Sequence, residues 1–371
     1  MSATGRDAAH ADAASDAAAL ERASFVRLVG RADGDALAAT GLLARALDAR
    51  DTPFQASIVT PTADADRVTD ADCTVAVGRA DASADLSIRE RPVAAVAHAV
   101  ARELDAGPDP TLALAGAIAS GESPGDLLEA VERSGAERRP GVAVPIADLA
   151  DGLAHSTLFH APFSGDPDAA ADALAGLESA DPDADDRRRV ASLVALAVAG
   201  DDEATSRAAD AVERALRPHA GGPLETVEGY ADVLDAVARE RPGVGVALAL
   251  GSESAVDPAL SAWRAHARGA HRGVREATTG RYDGLFVARG THLPVGTVAR
   301  LLADYRSPEP VTLAVTDGVA AVRATDGRDV SGPTERAAAA VDGRASGRGP
   351  RARARFETDT ASFIEALREA L

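Results

Sequence analysis

Two aspartates and an arginine fall within five residues near the start of the chain, in Val29-Gly30-Arg31-Ala32-Asp33-Gly34-Asp35. Carboxylates at this spacing can ligate a hard divalent cation, and an arginine fork can hold a phosphoryl oxygen. An aspartate at the start of a helix can also serve only as its cap. The apolar run from Phe25 to Val29 and the small-residue run from Ala36 to Leu47 read as strand and helix on either side of a tight turn. The block therefore sits at the carboxyl end of a strand, where open α/β sheets place ligand chemistry.

A second concentration of chemistry lies at the other end of the chain. Arg351, Arg353 and Arg355 alternate, so a strand presents all three on one face. Arg344 and Arg348 precede them in the glycine-rich segment Gly343 to Pro350. Glycines permit close backbone approach to a phosphate and arginine forks match its oxygens, so these five are a candidate phosphate-contacting patch. The competing reading is a solvated edge strand whose charges deter aggregation.

The first block resembles motif I of the DHH phosphoesterases, the superfamily of the RecJ single-strand-specific exonucleases, where a strand ends in His-x-Asp-x-Asp-Gly before a small-residue helix. Asp33 and Gly34 match the last two positions, but Val29 stands in the histidine's place and Arg31 in that of the first aspartate. The motifs that should follow are degenerate as well. Strand Cys73 to Val77 ends in Gly78 instead of an aspartate, Arg79 to Arg91 holds no Asp-His-His, and Leu112 to Ala119 leads to Ser120 where the family has an aspartate. Hydrolysis in this family is attributed to paired Mn²⁺ or Mg²⁺ ions, which need several carboxylate or imidazole ligands.

The resemblance therefore implies the family's fold without its two-metal centre. No cofactor is expected, Asp33 and Asp35 are what remains of the catalytic motif, and Asp33 alone is a weak candidate metal ligand. The function implied is that of a catalytically inactive RecJ-like protein that binds single-stranded DNA or scaffolds a DNA replication or repair complex. By analogy with the replicative-helicase subunit of the same superfamily, a GINS-like replication complex is a candidate partner. Two alternatives stand beside this. In one, Asp33 and Asp35 converge with Asp81 or Asp85 in a working Mn²⁺-dependent exonuclease or phosphoesterase. In the other, the chain is a regulator that binds a phosphorylated ligand, with Arg31 contacting the phosphate in place of a metal.

Composition bounds these readings. The 371 residues carry a formal charge of -19, all 39 basic residues are arginine, and aromatics make up 3%. This is the profile of a halophilic, cytoplasmic protein. In molar salt the Debye length is about 3 Å, so an acidic surface does not exclude nucleic acid, but counterion release contributes little to binding it. Cys73 is the single cysteine, which rules out an internal disulfide and reads as a small buried side chain. No run approaches the ~18 apolar residues of a membrane span.

The elements that position these residues alternate as strands and amphipathic helices: strands at Phe54 to Thr60 and Cys73 to Val77, then helices at Val93 to Leu104, Pro110 to Ala119 and Pro124 to Val131. This is the pattern of an α/β fold with a parallel sheet. Residues 1–22 read as a disordered acidic tail, 23–217 as a DHH-like α/β domain with a helical extension from Pro145, and Glu178 to Asp186 as an exposed loop. The Gly/Pro cluster at 218–224 reads as a linker, and 225–371 as a smaller α/β domain. In that second domain, helix Val227 to Arg239 leads to strand Val244 to Leu250, and a long helix follows from Pro258. Then come strand Leu285 to Ala288, helix Val295 to Tyr305, and strands Val311 to Val315 and Val319 to Ala324 joined by a hairpin at Asp317-Gly318. The order resembles the DHH-associated C-terminal domain that RecJ-like nucleases use to hold substrate, with the glycines of its final loop kept and its histidine absent, and this resemblance makes Arg344, Arg348, Arg351, Arg353 and Arg355 the expected nucleic-acid-binding residues.

Two further groups invite attention. Trp263, Arg264, Arg268, Arg272 and Arg275 lie on a predicted helix, where indole and arginines could stack on bases, or where Trp263 packs inward and the arginines are solvated. His155 and His160 lack carboxylates at fixed spacing and read as structural.

Overall fold

The computed structural model describes residues 3–60, 70–177 and 182–371, with side chains from residue 12 onward. In chain order the elements begin with α1 (Ala3–Arg22), β1 (Val26–Arg31), α2 (Gly34–Asp48), β2 (Phe54–Val59), β3 (Cys73–Val77) and β4 (Leu86–Ile88). Next come α3 (Val93–Glu103), α4 (Pro110–Ser120), α5 (Leu127–Arg133) and β5 (Glu137–Arg138). A helical stretch follows with α6 (Leu149–His155), α7 (Pro167–Leu174), α8 (Ala184–Ala199) and α9 (Arg207–Glu213). Then β6 (His219–Ala220), α10 (Val227–Glu240), α11 (Pro242–Ala249) and α12 (Val256–Glu276) lead to β7 (Thr278–Tyr282) and β8 (Leu285–Arg289). The chain ends with α13 (Val295–Tyr305), β9 (Val311–Thr316), β10 (Val319–Ala324), α14 (Ser331–Ala340), β11 (Arg344–Arg348), β12 (Arg351–Arg355) and α15 (Thr360–Ala370).

These elements gather into two compact units. The first holds residues 1–138, 144–146 and 219–263, built on a four-stranded sheet of order β2-β1-β3-β4. Every pairing in it is parallel, with Val26 opposite both Phe54 and Cys73. Parallel strands buried on both faces need apolar residues at nearly every position, and Leu28, Val29, Val75, Ala76 and Val77 meet that need. Helix α2 is buried almost throughout and packs against α3, α4, α10 and α11. Its alanines and glycines let neighbouring backbones come close: a Cβ on Gly34 would lie 3.0 Å from the Asp235 nitrogen.

The second unit holds residues 139–143, 147–218 and 264–371. Its six-stranded sheet has the order β11-β12-β10-β9-β8-β7, antiparallel except for the β8–β9 pair. One face carries Leu285, Val287, Val311, Leu313, Val315, Ala320, Val322, Ala352 and Ala354 into a core with α14 and α15, closed by Phe356 stacked on Phe363 at 4.5 Å. Helix α13 packs against β9 and β10.

The fold class is thus as read: α/β, with a parallel-sheet unit and a mixed-sheet C-terminal region. Strands β3 and β10 and helix α13 have the expected bounds. Four expectations are corrected. Residues 3–22 are not a disordered tail but helix α1, because alanine favours helix and Ala13, Ala17 and Leu20 form a stripe that is buried in the first unit's core; Met1 and Ser2 lie outside the described residues. The loop expected over Glu178 to Asp186 lies outside the described residues at 178–181, and from Ala184 it is helix, started by an Asp183–Asp186 capping box. Val244 to Leu250 is helix α11 and not a strand, since a short apolar run lacks a decisive period and Pro242 at the first turn selects helix. Finally, 218–224 is no linker: His219–Ala220 pairs with Glu137–Arg138, and residues 219–263 belong to the first unit.

Candidate functional site

Strand β1 delivers Arg31 and Asp33 to its carboxyl end, and the turn into α2 is fixed by Asp33 itself. Its backbone is extended (φ -151°), and Oδ1 accepts the Ala36 N–H at 2.9 Å, an N-cap that offsets the orphan donors of the first turn. Oδ2 takes a close ion pair from Arg31 Nε, with Arg91 Nη2 at 3.6 Å. Asp35 is only 1% exposed. Its two oxygens accept the N–H groups of Val93 and Ala94, at 3.0 and 2.9 Å, so it caps α3 from the neighbouring helix. Burial, with the nearby Asp33 charge, pushes its carboxyl up to about 7.

Asp235 of α10 completes the constellation. It accepts the Gly34 N–H at 3.0 Å and pairs with Arg239 one turn later. Arg31, Arg91 and Arg239 thus interleave with Asp33, Asp35 and Asp235, and each carboxylate already serves a backbone N–H, a guanidinium or both. Among the described residues no group of three or more His, Cys, Asp or Glu side chains comes together to hold a metal ion. The donor set does not fit a two-metal centre: a carboxylate flanked by two guanidinium groups is a poor ligand for a hard cation.

The other positions compared with the family's motifs are engaged as well. Gly78, after β3, has φ +71°, a conformation that an aspartate would adopt only under strain. Ser120 turns its hydroxyl onto the Ala117 carbonyl at 2.7 Å. Asp81 and Asp85 do not join Asp33: Asp81 accepts from Ser83, and Asp85 Oδ2 accepts the Thr74 N–H at 2.8 Å. Two guanidinium nitrogens of this constellation, Arg31 Nη2 and Arg239 Nε, are buried and have no hydrogen-bond partner.

In the C-terminal unit the five expected arginines do share one face. Arg344 and Arg348 belong to edge strand β11, not to a loop, and stand opposite Arg355 and Arg351 of β12. Arg351 in turn stands opposite Arg323 of β10, so six guanidinium groups line three adjacent strands. Arg344, Arg348 and Arg355 are exposed, whereas Arg351 and Arg353 are partly buried. The Arg353 guanidinium lies on Gly296 in the first turn of α13, where any side chain would collide with it.

The basic run on α12 is not a stacking surface. Trp263 is fully buried and donates its indole N–H to Asp232 at 2.8 Å. Arg264 makes a forked pair with Asp151, at 2.9 and 2.7 Å, and Arg268 lies 3.3 Å from His155. His155 is held by Asp151 at 2.8 Å. His160 pairs with His271, Nδ1 to Nδ1 at 3.0 Å, and His271 Nε2 lies 3.0 Å from the Ser156 carbonyl oxygen. A carbonyl only accepts, so His271 donates from Nε2; with both rings neutral, its Nδ1 accepts from the Nδ1–H of His160. Burial drives both well down, His160 to about 3.

Sequence reasoning missed Arg91, Asp235, Arg239 and Arg323. Only the four-residue spacing of Asp235 and Arg239 was a signal, and it marks a helix-surface pair without showing that it meets Gly34.

Comparison with known proteins places this arrangement. The chain is 63% identical over 375 residues, across all of both chains, to the protein described as uncharacterized protein rrnAC1427 of Haloarcula marismortui. The chain belongs to the rrnAC1427 family. Residues 277–369 match the model of the rrnAC1427 C-terminal domain, which covers the whole six-stranded sheet. Among solved structures, a RecJ exonuclease bound to manganese aligns over 98% of this chain and 93% of its own, at 15% identity and a TM-score of 0.52. CDC45 from Entamoeba histolytica aligns over 98% and 97%, at 10% identity and 0.54. RecJ of Thermus thermophilus with Mn²⁺ reaches 0.54 at 15% identity, and there the chain spans about half of the relative, 54%. The chain therefore has a RecJ-like fold. No described helix is long and apolar enough to cross a membrane.

Proposed function

We propose that this rrnAC1427-family protein uses a RecJ-like fold without metal-dependent hydrolysis, binding single-stranded DNA through its C-terminal arginine face or scaffolding a replication or repair complex. The observation that carries the proposal is Asp33: the one matching motif-I carboxylate is a helix cap neutralised by Arg31 and Arg91. The surface left for nucleic acid is the face built by Arg344, Arg348, Arg351, Arg353 and Arg355, whose planar forks suit phosphate oxygens. A GINS-like complex is the partner class that the analogy with the replicative-helicase subunit supports.

The test is a labelled single strand incubated with the full chain in molar KCl, with and without Mn²⁺. Binding without cleavage is expected, and changing Arg351, Arg353 and Arg355 together to alanine weakens it. Mn²⁺-dependent cleavage that Asp33→Ala removes would overturn the reading in favour of an exonuclease with relocated ligands. A second reading, a regulator that takes a phosphorylated small molecule, is favoured by Arg31 Nη2, a buried donor with no hydrogen-bond partner. Nucleotide binding lost in Arg31→Gln while oligonucleotide binding persists would select it.

A further inference from the structure

On the α13 side of the C-terminal sheet, Thr312 of β9 stands directly opposite Arg323 of β10. Thr312 is fully buried. Its hydroxyl and the Nε–H of Arg323 are both buried and have no hydrogen-bond partner. Directly opposed residues in an antiparallel pair have Cβ atoms about 4.5–5.5 Å apart, so the two polar groups share one small region. Leaving such a group unsatisfied is costly, and two on facing residues call for a common partner.

The charge around them says what that partner is. Asp304, at the end of α13, is 3.8 Å from Arg323 Nη2 and is also bound by Arg214 at 2.6 Å. Against this single carboxylate, Arg351, Arg300 and Arg214 all act on Arg323, which burial and their repulsion push down to about 10. Arg300 spends one amino group on Thr157, and the Asp304 carboxylate is shared between two cations. Arg323 thus feels three other guanidinium groups and the one carboxylate of Asp304, which pairs with Arg214 and Arg323, within a chain of net charge -19. Arg214 is more than half exposed, at 56%, and marks the side open to solvent.

We propose that Thr312 and Arg323 hold an oxygen of a phosphoryl-type oxyanion, which the surrounding Arg351 and Arg214 help to neutralise. Nε–H and the hydroxyl donate to one oxygen, as charge-assisted hydrogen bonds to phosphate require. None of these residues belongs to the β1–α2 turn and the probes contain no nucleic acid, so the proposal does not rest on the strand-binding reading.

The experiment titrates inorganic phosphate into the full chain at constant ionic strength in KCl, following the thermal midpoint and the heat of binding. A saturable rise is expected in the unaltered chain. Thr312→Val, which keeps shape and removes one donor, should weaken phosphate about tenfold. Exclusion of phosphate from the protein surface also raises the midpoint, but without saturation and equally in both chains. Absence of a saturable response, or the same affinity in Thr312→Val, overturns the proposal. A fall in the phosphate-free midpoint of that variant overturns it too, because it would show a protein partner for the hydroxyl. Phenyl phosphate then separates two sources of the same chemistry. Its competition assigns the phosphoryl group of a larger ligand, and its failure to compete assigns the free anion. Oligonucleotide affinity of Thr312→Val measured alongside keeps failure here distinct from failure of the strand-binding reading.

Discussion

Acidification from pH 7.5 to 5 should loosen the protein through the His160–His271 pair. Both rings are buried and neutral, and their hydrogen-bond network has no acceptor for a further proton on either ring. Arg306 and Arg275 also act on His160. In the unfolded chain each ring titrates near its ordinary value of about 6.5, so below that pH the unfolded state binds protons that the native state refuses. Stability is therefore fully present above about 6.5 and falls as pH drops, by about 1.4 kcal/mol per pH unit per ring. At pH 5 the loss is about 2 kcal/mol for each ring and about 4 kcal/mol for the pair, a large part of the 5–15 kcal/mol typical of a domain. Asp35 works the other way: with its carboxyl raised to about 7, the native state takes up its proton first and gains stability as pH falls from 7 toward 4. The pair must therefore be read as a difference. Urea unfolding in fixed KCl at both pH values, for the unaltered chain and for His160→Phe with His271→Leu, cancels Asp35 and should leave about 4 kcal/mol. Equal pH dependence in the two proteins would refute the reasoning. So would a ring that titrates near 6.5 in the native state, seen by its own NMR resonances.

Asp35→Ala removes the acceptor of two α3 N–H groups and should cost about 1–2 kcal/mol in urea unfolding at neutral pH, with Asp35→Asn costing less because no buried charge is then required. Gly296→Ala should displace the Arg353 guanidinium and lower single-strand affinity several-fold in a binding titration while the far-UV spectrum is unchanged. Replacing Arg351, Arg353 and Arg355 by alanine should flatten the dependence of log affinity on log salt by about 2, near 0.7 for each phosphate no longer neutralised. Trp263→Phe removes the buried indole N–H bond to Asp232 and should destabilise the chain by about 1 kcal/mol in urea unfolding, while leaving oligonucleotide affinity unaltered.

The parallel-sheet core was legible because its strands are short runs of β-branched and apolar residues and its helices carry a 3.6-residue period. Thus Cys73–Val77 has the bounds that pattern implies, as does helix Val295–Tyr305 in the second unit. Pattern failed where composition and geometry pull apart. An Ala/Asp-rich start looks like a solvated tail, yet alanine alone provides both helix propensity and a buried stripe at Ala13, Ala17 and Leu20. The turn at Asp33 was legible as a place but not as a network. Its partners arrive from Arg91 and, through Gly34, from Asp235, and no local rule joins residues so far apart in sequence. Arg323 was invisible for the same reason, since one arginine in a strand gains meaning only from the register that sets it against Arg351 and Thr312.

The division of the chain has a consequence for its synthesis. The two units are interleaved: the backbone passes from one to the other after residues 138, 143, 146, 218 and 263. The sheet of β1 to β4 emerges early, but two of the helices that cover α2, namely α10 and α11, arrive more than a hundred residues later. The first unit therefore cannot finish its core until Trp263 is made, and the usual order of one domain completed before the next begins does not hold here. Nascent α2, apolar over nearly its whole circumference, must wait partly uncovered through that interval. A fragment ended near residue 217 would keep that exposed helix permanently, so the shortest autonomous piece of this protein is a matter of topology and not of length.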